Sequence, residues 1–141
     1  MTHRPLTDNE IAILESRECT AEEWKNVSVA KDFSPGQNFR RVRFSGMVEL
    51  GMANAPVRLP EGFTLPAGIN RATLHNVKIG DNCRIDNAVL ANVDVGDHVL
   101  IEQVDCISRL GDSPLANLSA ANVLSEDGGR SVPLWRYMTA P

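Results

Sequence analysis

The chain has 141 residues, a formal net charge of −4, 43% hydrophobic residues and 5% aromatic residues. This length supports one domain with a buried core, and this hydrophobic content excludes a disordered chain. The acidic balance and the scarcity of aromatic rings argue against a nucleic-acid-binding protein, which needs a basic patch or stacking side chains.

The N-terminal region contains two predicted helix starts. Thr7 and Glu10 form a capping box that predicts a helix to about Arg17. Thr20 and Glu23 repeat the device and predict a short second helix ending near Asn26. Residues 1–40 are therefore expected to form a small helical cap.

Short strands are predicted from residue 41 onward. Val42–Phe44 and Met47–Gly51 read as strands, and the Pro- and Gly-rich stretch Ala55–Gly68 reads as an irregular coil or inserted loop. Near the end, Asn122–Ser125 and Arg130–Leu134 flank a glycine-containing turn. Residues 113–141 are therefore predicted to be a hairpin extension.

A sixteen-residue repeat is the strongest signal in the chain. Ala72–Asn87 (ATLHNVKIGDNCRIDN) and Ala88–Gln103 (AVLANVDVGDHVLIEQ) share seven identical residues at matching positions. A short fixed period indicates stacked structural units that cover one another's apolar faces.

The apolar residues of the repeat recur at intervals of five or six, so three of them make one unit. Stacking the units predicts three internal ladders. Their members are Phe44, Leu74, Leu90 and Cys106; then Leu50, Ile79, Val95 and Leu110; then Ile85 and Ile101.

Each apolar anchor is generally followed by Gly, Ala, Asp or Glu, as in Ile79-Gly80, Ile85-Asp86 and Leu90-Ala91. This pattern resembles the hexapeptide repeat of left-handed β-helix proteins. The resemblance implies a mainly β fold: a single-stranded left-handed β-helix of about four short coils over residues 41–112. The departure is that two of every three sides are one residue short, which predicts tightened corners.

Several segments of the sequence, taken together, are similar to the N-terminal part of a bacterial family, the domain of unknown function numbered 4954. The resemblance rests on the capping-box helix, CTAEEW, VRFSGMVELG, ATLHNVKIGDNCRIDN and VLSEDGGRSVP. Members of that family are usually longer, so the resemblance implies that this chain is part of a longer protein. The family has no assigned reaction, and no catalytic residue transfers from it.

The location in the cell is suggested by what the sequence lacks. Three cysteines, Cys19, Cys83 and Cys106, form no CxxC pair and no disulfide framework. The start MTHRPLTDNE is polar, and no apolar run approaches the roughly 20 residues of a membrane span. We therefore expect a reduced cytoplasmic protein with no membrane partner. Cys83 and Cys106 are expected in the core, where a thiol is inert.

His75 is the candidate catalytic residue, because it follows anchor Leu74 where the repeat otherwise has a small or acidic residue. Many left-handed β-helix enzymes are trimeric acyltransferases that bind an acyl-coenzyme A between subunits. That resemblance implies a histidine acting as general base on the acceptor. The alternative is a surface histidine that hydrogen-bonds to its neighbours.

Other polar residues have structural explanations. His98 takes the place of Asn82 and is expected at a solvated corner, and His3 is expected in a frayed terminus. A zinc site of three histidines is disfavoured, because His3 would have to join it. The pairs Asn76/Asn92 and Asp81/Asp97 are expected to stack as hydrogen-bonded columns.

Two functions of different classes remain open. The first is a rigid scaffold, oligomerisation or binding module that needs no cofactor and no metal. The second is an acyltransferase that uses acyl-coenzyme A with His75 as base. The second predicts a homotrimer, whereas the first predicts no particular number of copies.

Overall fold

A computed structural model describes residues 2–110 and two strands at 119–125 and 128–134. The chain divides into two compact units, Met1–Arg109 and Leu110–Pro141. The protein is mainly β, as predicted, and its described α-helix, α1, spans Asp8–Ser16. The strands are β1 (His3–Pro5), β2 (Thr20–Ala21), β3 (Val27–Ala30), β4 (Arg40–Leu50), β5 (Val57–Arg58), β6 (Thr64–Leu65), β7 (Gly68–Ile79), β8 (Arg84–Ala91), β9 (Asp94–Val95), β10 (Leu100–Ser108), β11 (Ser119–Ser125) and β12 (Gly128–Leu134).

Helix α1 begins as the capping box predicts. The Thr7 hydroxyl accepts from the Glu10 backbone N–H, and the Glu10 carboxylate accepts from the Thr7 backbone N–H. Arg4 on β1 adds an ion pair to Glu10 at 2.7 Å. The helix ends at Ser16 with Arg17 as its C-cap, within one residue of the predicted end.

The predicted second helix is wrong. Thr20 and Ala21 form strand β2, which pairs in parallel with Arg43 and Phe44 of β4, and only a 3-10 turn follows at Trp24–Asn26. Pairing with a neighbouring strand prevails here over a local helix start. The described residues 2–39 thus contain one α-helix and also strands β1, β2 and β3 of the main sheet, so the region predicted as a helical cap is not purely helical.

We call β4, β7, β8, β9 and β10 the parallel stack. Strand β7 pairs with β8 and β9, and β8 with β10, all in parallel. Partners in the β7–β8 and β7–β9 pairs are sixteen residues apart, as in Leu74 beside Leu90 and Ile79 beside Val95. The sequence repeat is therefore the register of the sheet.

The first internal ladder is confirmed for three of its four residues. Phe44 pairs with Leu74 and Leu74 with Leu90, and all three side chains are fully buried. Cys106 does not continue the ladder, because a register shift in β10 brings Ile107 opposite Leu90. Cys106 is consequently exposed, contrary to the predicted core position.

The other two ladders hold within the stack. Leu50 pairs with Ile79 and Ile79 with Val95, and Ile85 pairs with Ile101. Leu110 does not extend the Leu50, Ile79 and Val95 ladder as predicted. It is 89% exposed, and it is the first residue of the second unit. Each fully buried aliphatic side chain contributes about 1.5–3 kcal/mol to folding before the entropy cost.

The extended backbone of the stack is interrupted by residues in the left-handed region, which we call left-handed positions. They are Arg41, Arg71, Asn76, Asn82, Asn87, Asn92, His98 and Gln103, with φ between 48° and 58°, and Gly46, with φ 62°. From Arg71 onward, their intervals follow the same fives and sixes as the apolar anchors. Each interval of the repeat therefore contains one residue of positive φ, where the extended backbone is interrupted.

The second unit contains the predicted hairpin. Strands β11 and β12 pair antiparallel from Ser119 with Leu134 to Ser125 with Gly128. Residues 126–127 of the predicted turn lie outside the described residues. In the described residues, no helix has the length and apolar character needed to cross a membrane.

Candidate functional site

His75 lies on β7 immediately after the buried ladder residue Leu74. Its backbone partners are Ser45 on β4 and Ala91 on β8. The imidazole is half-buried on the outer side of the stack, because successive residues of a strand point to opposite faces. The outward placement predicted for His75 is therefore what the structure shows.

Both ring nitrogens of His75 have hydrogen-bond partners. Nδ1 lies 2.8 Å from Ser45 Oγ, and Nε2 lies 3.0 Å from Asn76 Nδ2. The amide of Asn76 is oriented by the Met47 backbone N–H, which donates to Asn76 Oδ1 at 3.0 Å. Asn76 Nδ2 must then be the donor to Nε2, which leaves Nδ1 as the protonated nitrogen that donates to Ser45.

This tautomer matters for acid–base chemistry. A neutral histidine accepts a proton at its unprotonated nitrogen, and here that nitrogen, Nε2, already accepts from Asn76. The arrangement holds the ring in place between β4 and β7. Use of His75 as a general base in acyl transfer would require Asn76 to release Nε2, and that role stays a prediction.

The Asn76/Asn92 column lies beside the imidazole. Asn76 Nδ2 also donates to Asn92 Oδ1 at 3.3 Å, and Asn92 Nδ2 donates to the Arg109 carbonyl. Gly46 occurs opposite because a Cβ there would lie 2.1 Å from Asn76 Oδ1. The column therefore continues the hydrogen bonding of His75 along the stack.

The aspartate column ties successive units together through backbone groups. Asp81 Oδ1 accepts from the Met52 N–H at 2.8 Å, and Asp97 Oδ1 accepts from the Asp81 N–H at 2.7 Å. Both predicted columns are thus hydrogen-bonded along the stacking direction. The aspartate column satisfies the backbone donors of Met52 and Asp81, which lie between strands and have no strand partner.

The other histidines are placed separately. His98 was predicted at a solvated corner; it is exposed and, like the equivalent Asn82, occupies a left-handed position. His3 is not in a frayed terminus, because it belongs to β1 and pairs with Ala30. Among the described residues, no group of three histidine, cysteine or acidic side chains is placed to hold a metal ion.

The buried cysteines have the character of core residues. Burial raises the pKa of the Cys19 and Cys83 thiols above their ordinary value. Cys83 Sγ also lies 2.9 Å from the Gly96 carbonyl oxygen, to which it can donate. A protonated buried thiol is a poor nucleophile, which agrees with the core role predicted for Cys83.

The structure also contains an arginine-rich cleft on the outer face of β4, β7 and β8, which no sequence motif indicates. Arg41, Arg43 and Arg71 line it together with Thr73 and Asn87, and its volume is about 250 Å³. Arg41 and Arg43 both lie on β4, whereas Arg71 lies on β7, and the three form no sequence motif. Only the register of β4 beside β7 brings them together.

The match to known proteins extends over almost the whole chain. The family described as Domain of unknown function (DUF4954) matches residues 3–141. The chain belongs to the DUF4954 family. Neither a curated protein nor a solved structure matches it. Membership in DUF4954 brings no reaction with it, so any function must be argued from the surface of this chain.

Proposed function

We propose that this chain is a left-handed β-helix that acts as a rigid scaffold and associates with a second copy through the open end of its parallel stack. The sixteen-residue register, the buried ladders and the periodic left-handed positions support the β-helix. The hydrogen-bonded columns of Asn76/Asn92 and Asp81/Asp97 support rigidity, because they link successive units outside the sheet.

The proposed association rests on one observation: among the residues that the structure describes, β10 has an unpaired edge and partly exposed apolar residues. In the described residues β10 pairs with β8 on one side, and its other edge has no strand partner. Its ladder residues are less covered than those they stack on: Ile85 and Leu90 are fully buried, whereas Ile101 is half-buried and Ile107 is 38% exposed. An open edge with exposed apolar positions is a surface for pairing.

A second copy fits this surface better than a charged partner does. Nine residues of β10 include only two charges, Glu102 and Asp105, both acidic. A two-fold contact places the same apolar surface against itself and leaves neither β10 edge open, whereas a head-to-tail contact would continue into fibres. We therefore expect a closed dimer.

The test is molar mass by light scattering across a range of protein concentrations. Wild type should reach the mass of two chains, and Ile107→Asp should remain a monomer. Val89→Asp is the matched control, because Val89 on β8 has the same 38% exposure but lies on the side of the stack. Circular dichroism confirms that both variants fold.

Two results would contradict the proposal. One is a wild-type protein that stays monomeric at every concentration. The other is an oligomer that Val89→Asp disrupts and Ile107→Asp leaves intact, since contacts would then use the side of the stack. Hydrogen exchange gives a check without mutation: β10 amides should gain protection as the protein concentration rises.

A further inference from the structure

The arginine-rich cleft is a second surface, independent of β10. Its lining combines three guanidinium groups with a hydroxyl, an amide and one distant carboxylate: Arg41, Arg43, Arg71, Thr73, Asn87 and Asp105. The chain as a whole carries a net charge of −4, so this concentration of positive charge is local. Like charges held together in a fold cost energy unless something neutralises them.

The register of β4 and β7 sets the spacing of the arginines. Arg43 pairs directly with Thr73, and the pairs on either side of Arg41 and Arg71 place these two next to each other at left-handed positions. Adjacent strands are about 4.8 Å apart. The three side chains therefore start from neighbouring points of one outer face.

Two of the arginines are neutralised within the chain. Arg41 Nε lies 2.7 Å from Glu18, and the Arg71 guanidinium lies 2.9 Å from Asp86. Both pairs are largely exposed on the arginine side, and each guanidinium keeps N–H groups that its carboxylate does not use. The two ion pairs thus orient the guanidinium groups of Arg41 and Arg71 and leave some of their N–H donors free to bind a ligand.

Arg43 differs from these two. It is exposed, and no carboxylate of the described residues lies within ion-pair distance of it. Thr73 and Asn87 supply neutral donors in the same cleft. Asp105 belongs to β10, three strands from β4, so its backbone is about 14 Å from that of Arg43 along the stack.

We propose that this cleft binds the phosphate group of a small phosphorylated molecule. A guanidinium fork matches phosphate oxygens with two parallel hydrogen bonds, and a dianion suits a site with one unpaired and two partly satisfied arginines. A volume near 250 Å³ is below the usual range for drug-sized ligands, which favours a phosphomonoester with a small body. Asp105 repels a second anionic group at the far end.

The experiment is a nuclear magnetic resonance titration with inorganic phosphate and with glycerol 3-phosphate, at constant ionic strength set by sodium chloride. Both probes should shift the Thr73 and Val89 amide signals along saturable curves. Arg43→Gln should weaken both affinities by about tenfold, the loss expected for one charge-assisted hydrogen bond. Arg43→Lys keeps the positive charge but loses the planar guanidinium group, so its affinities should lie between those of wild type and Arg43→Gln.

Arg58→Gln is the matched control, because Arg58 on β5 is also exposed but does not line the cleft. It should bind both probes as wild type does. The proposal is overturned if the shifts stay linear in probe concentration, or if Arg43→Gln and Arg58→Gln lose affinity equally, since both results describe a general charge effect. Thermal unfolding at the wild-type temperature shows that each variant is folded.

Discussion

Glu10 provides a prediction whose size can be derived from the structure. Its side chain is buried, and its carboxylate accepts from Arg4 Nη1 and Nη2 and from the Thr7 N–H and hydroxyl. The Arg4 hydrogen bonds, followed by those from Thr7, lower the pKa of Glu10 from 4.5 to about 2. This difference corresponds to roughly 3 kcal/mol of folding free energy.

The lowered pKa of Glu10 makes its contribution to the free energy of unfolding larger at neutral pH than in acid. The folded protein binds the Glu10 proton less readily than the unfolded chain, so the contribution is complete above the unfolded pKa. It declines as the pH falls below about 4.5, and roughly three-fifths of it should be gone by about pH 3. Glu10→Gln removes the charge, so we expect a loss of about 2–3 kcal/mol at neutral pH that shrinks in acid.

The assay is urea unfolding followed by circular dichroism at neutral pH and near pH 3. Asp8→Asn is the matched control, because Asp8 is an exposed acid in the same first turn of α1. It should cost only about 0.3–1 kcal/mol, the size of a helix-dipole interaction. A Glu10→Gln variant that is as stable as wild type at neutral pH, or whose loss of stability is the same at both pH values, would contradict this role of the Glu10 carboxylate.

Three further predictions concern the stack and the candidate site. Leu74→Ala should lower the free energy of unfolding by about 3 kcal/mol in urea, because Leu74 is fully buried between Phe44 and Leu90; a loss below about 1 kcal/mol would contradict the ladder. Asn87→Gly should be nearly neutral and Asn87→Val should destabilise by about 1–2 kcal/mol in the same assay, because Asn87 has φ 54°; equal stabilities would contradict the left-handed position. The acyltransferase alternative predicts that acetyl-coenzyme A at about 100 times its dissociation constant adds about 2.7 kcal/mol of stability, and that His75→Ala keeps this effect but loses acyl transfer; an unchanged melting temperature in wild type would refute it.

The stack was predictable because its periodic residues report directly on it. The offset between Leu74 and Leu90 in the sequence is the offset between their strands, and Asn76 and Asn92 repeat because asparagine tolerates positive φ. The ladder prediction failed at Leu110, which begins the second unit, and at Cys106, where β10 shifts register. A register shift of this kind leaves the periodic pattern of the repeat unchanged.

Strand β2, the hydrogen bonding of His75 and the arginine-rich cleft were not predictable, because they depend on contacts between residues far apart in the sequence. Thr20 begins a good capping box, yet pairing of β2 with β4 prevails. His75 stood out in the sequence as an exception, but the tautomer of its ring depends on Ser45 and Asn76 and on the backbone of β4. No sequence pattern indicated the arginine-rich cleft, because its lining residues lie on different strands.

Successive sixteen-residue units are hydrogen-bonded in parallel in this structure, and scalar couplings across hydrogen bonds measure this arrangement directly. A long-range HNCO spectrum should show the Asn92 N–H coupled to the His75 carbonyl and the Gly80 N–H coupled to the Val95 carbonyl, whose N···O distances are both 2.9 Å. Couplings that instead follow an antiparallel pattern, or join residues at other offsets, would contradict the stack.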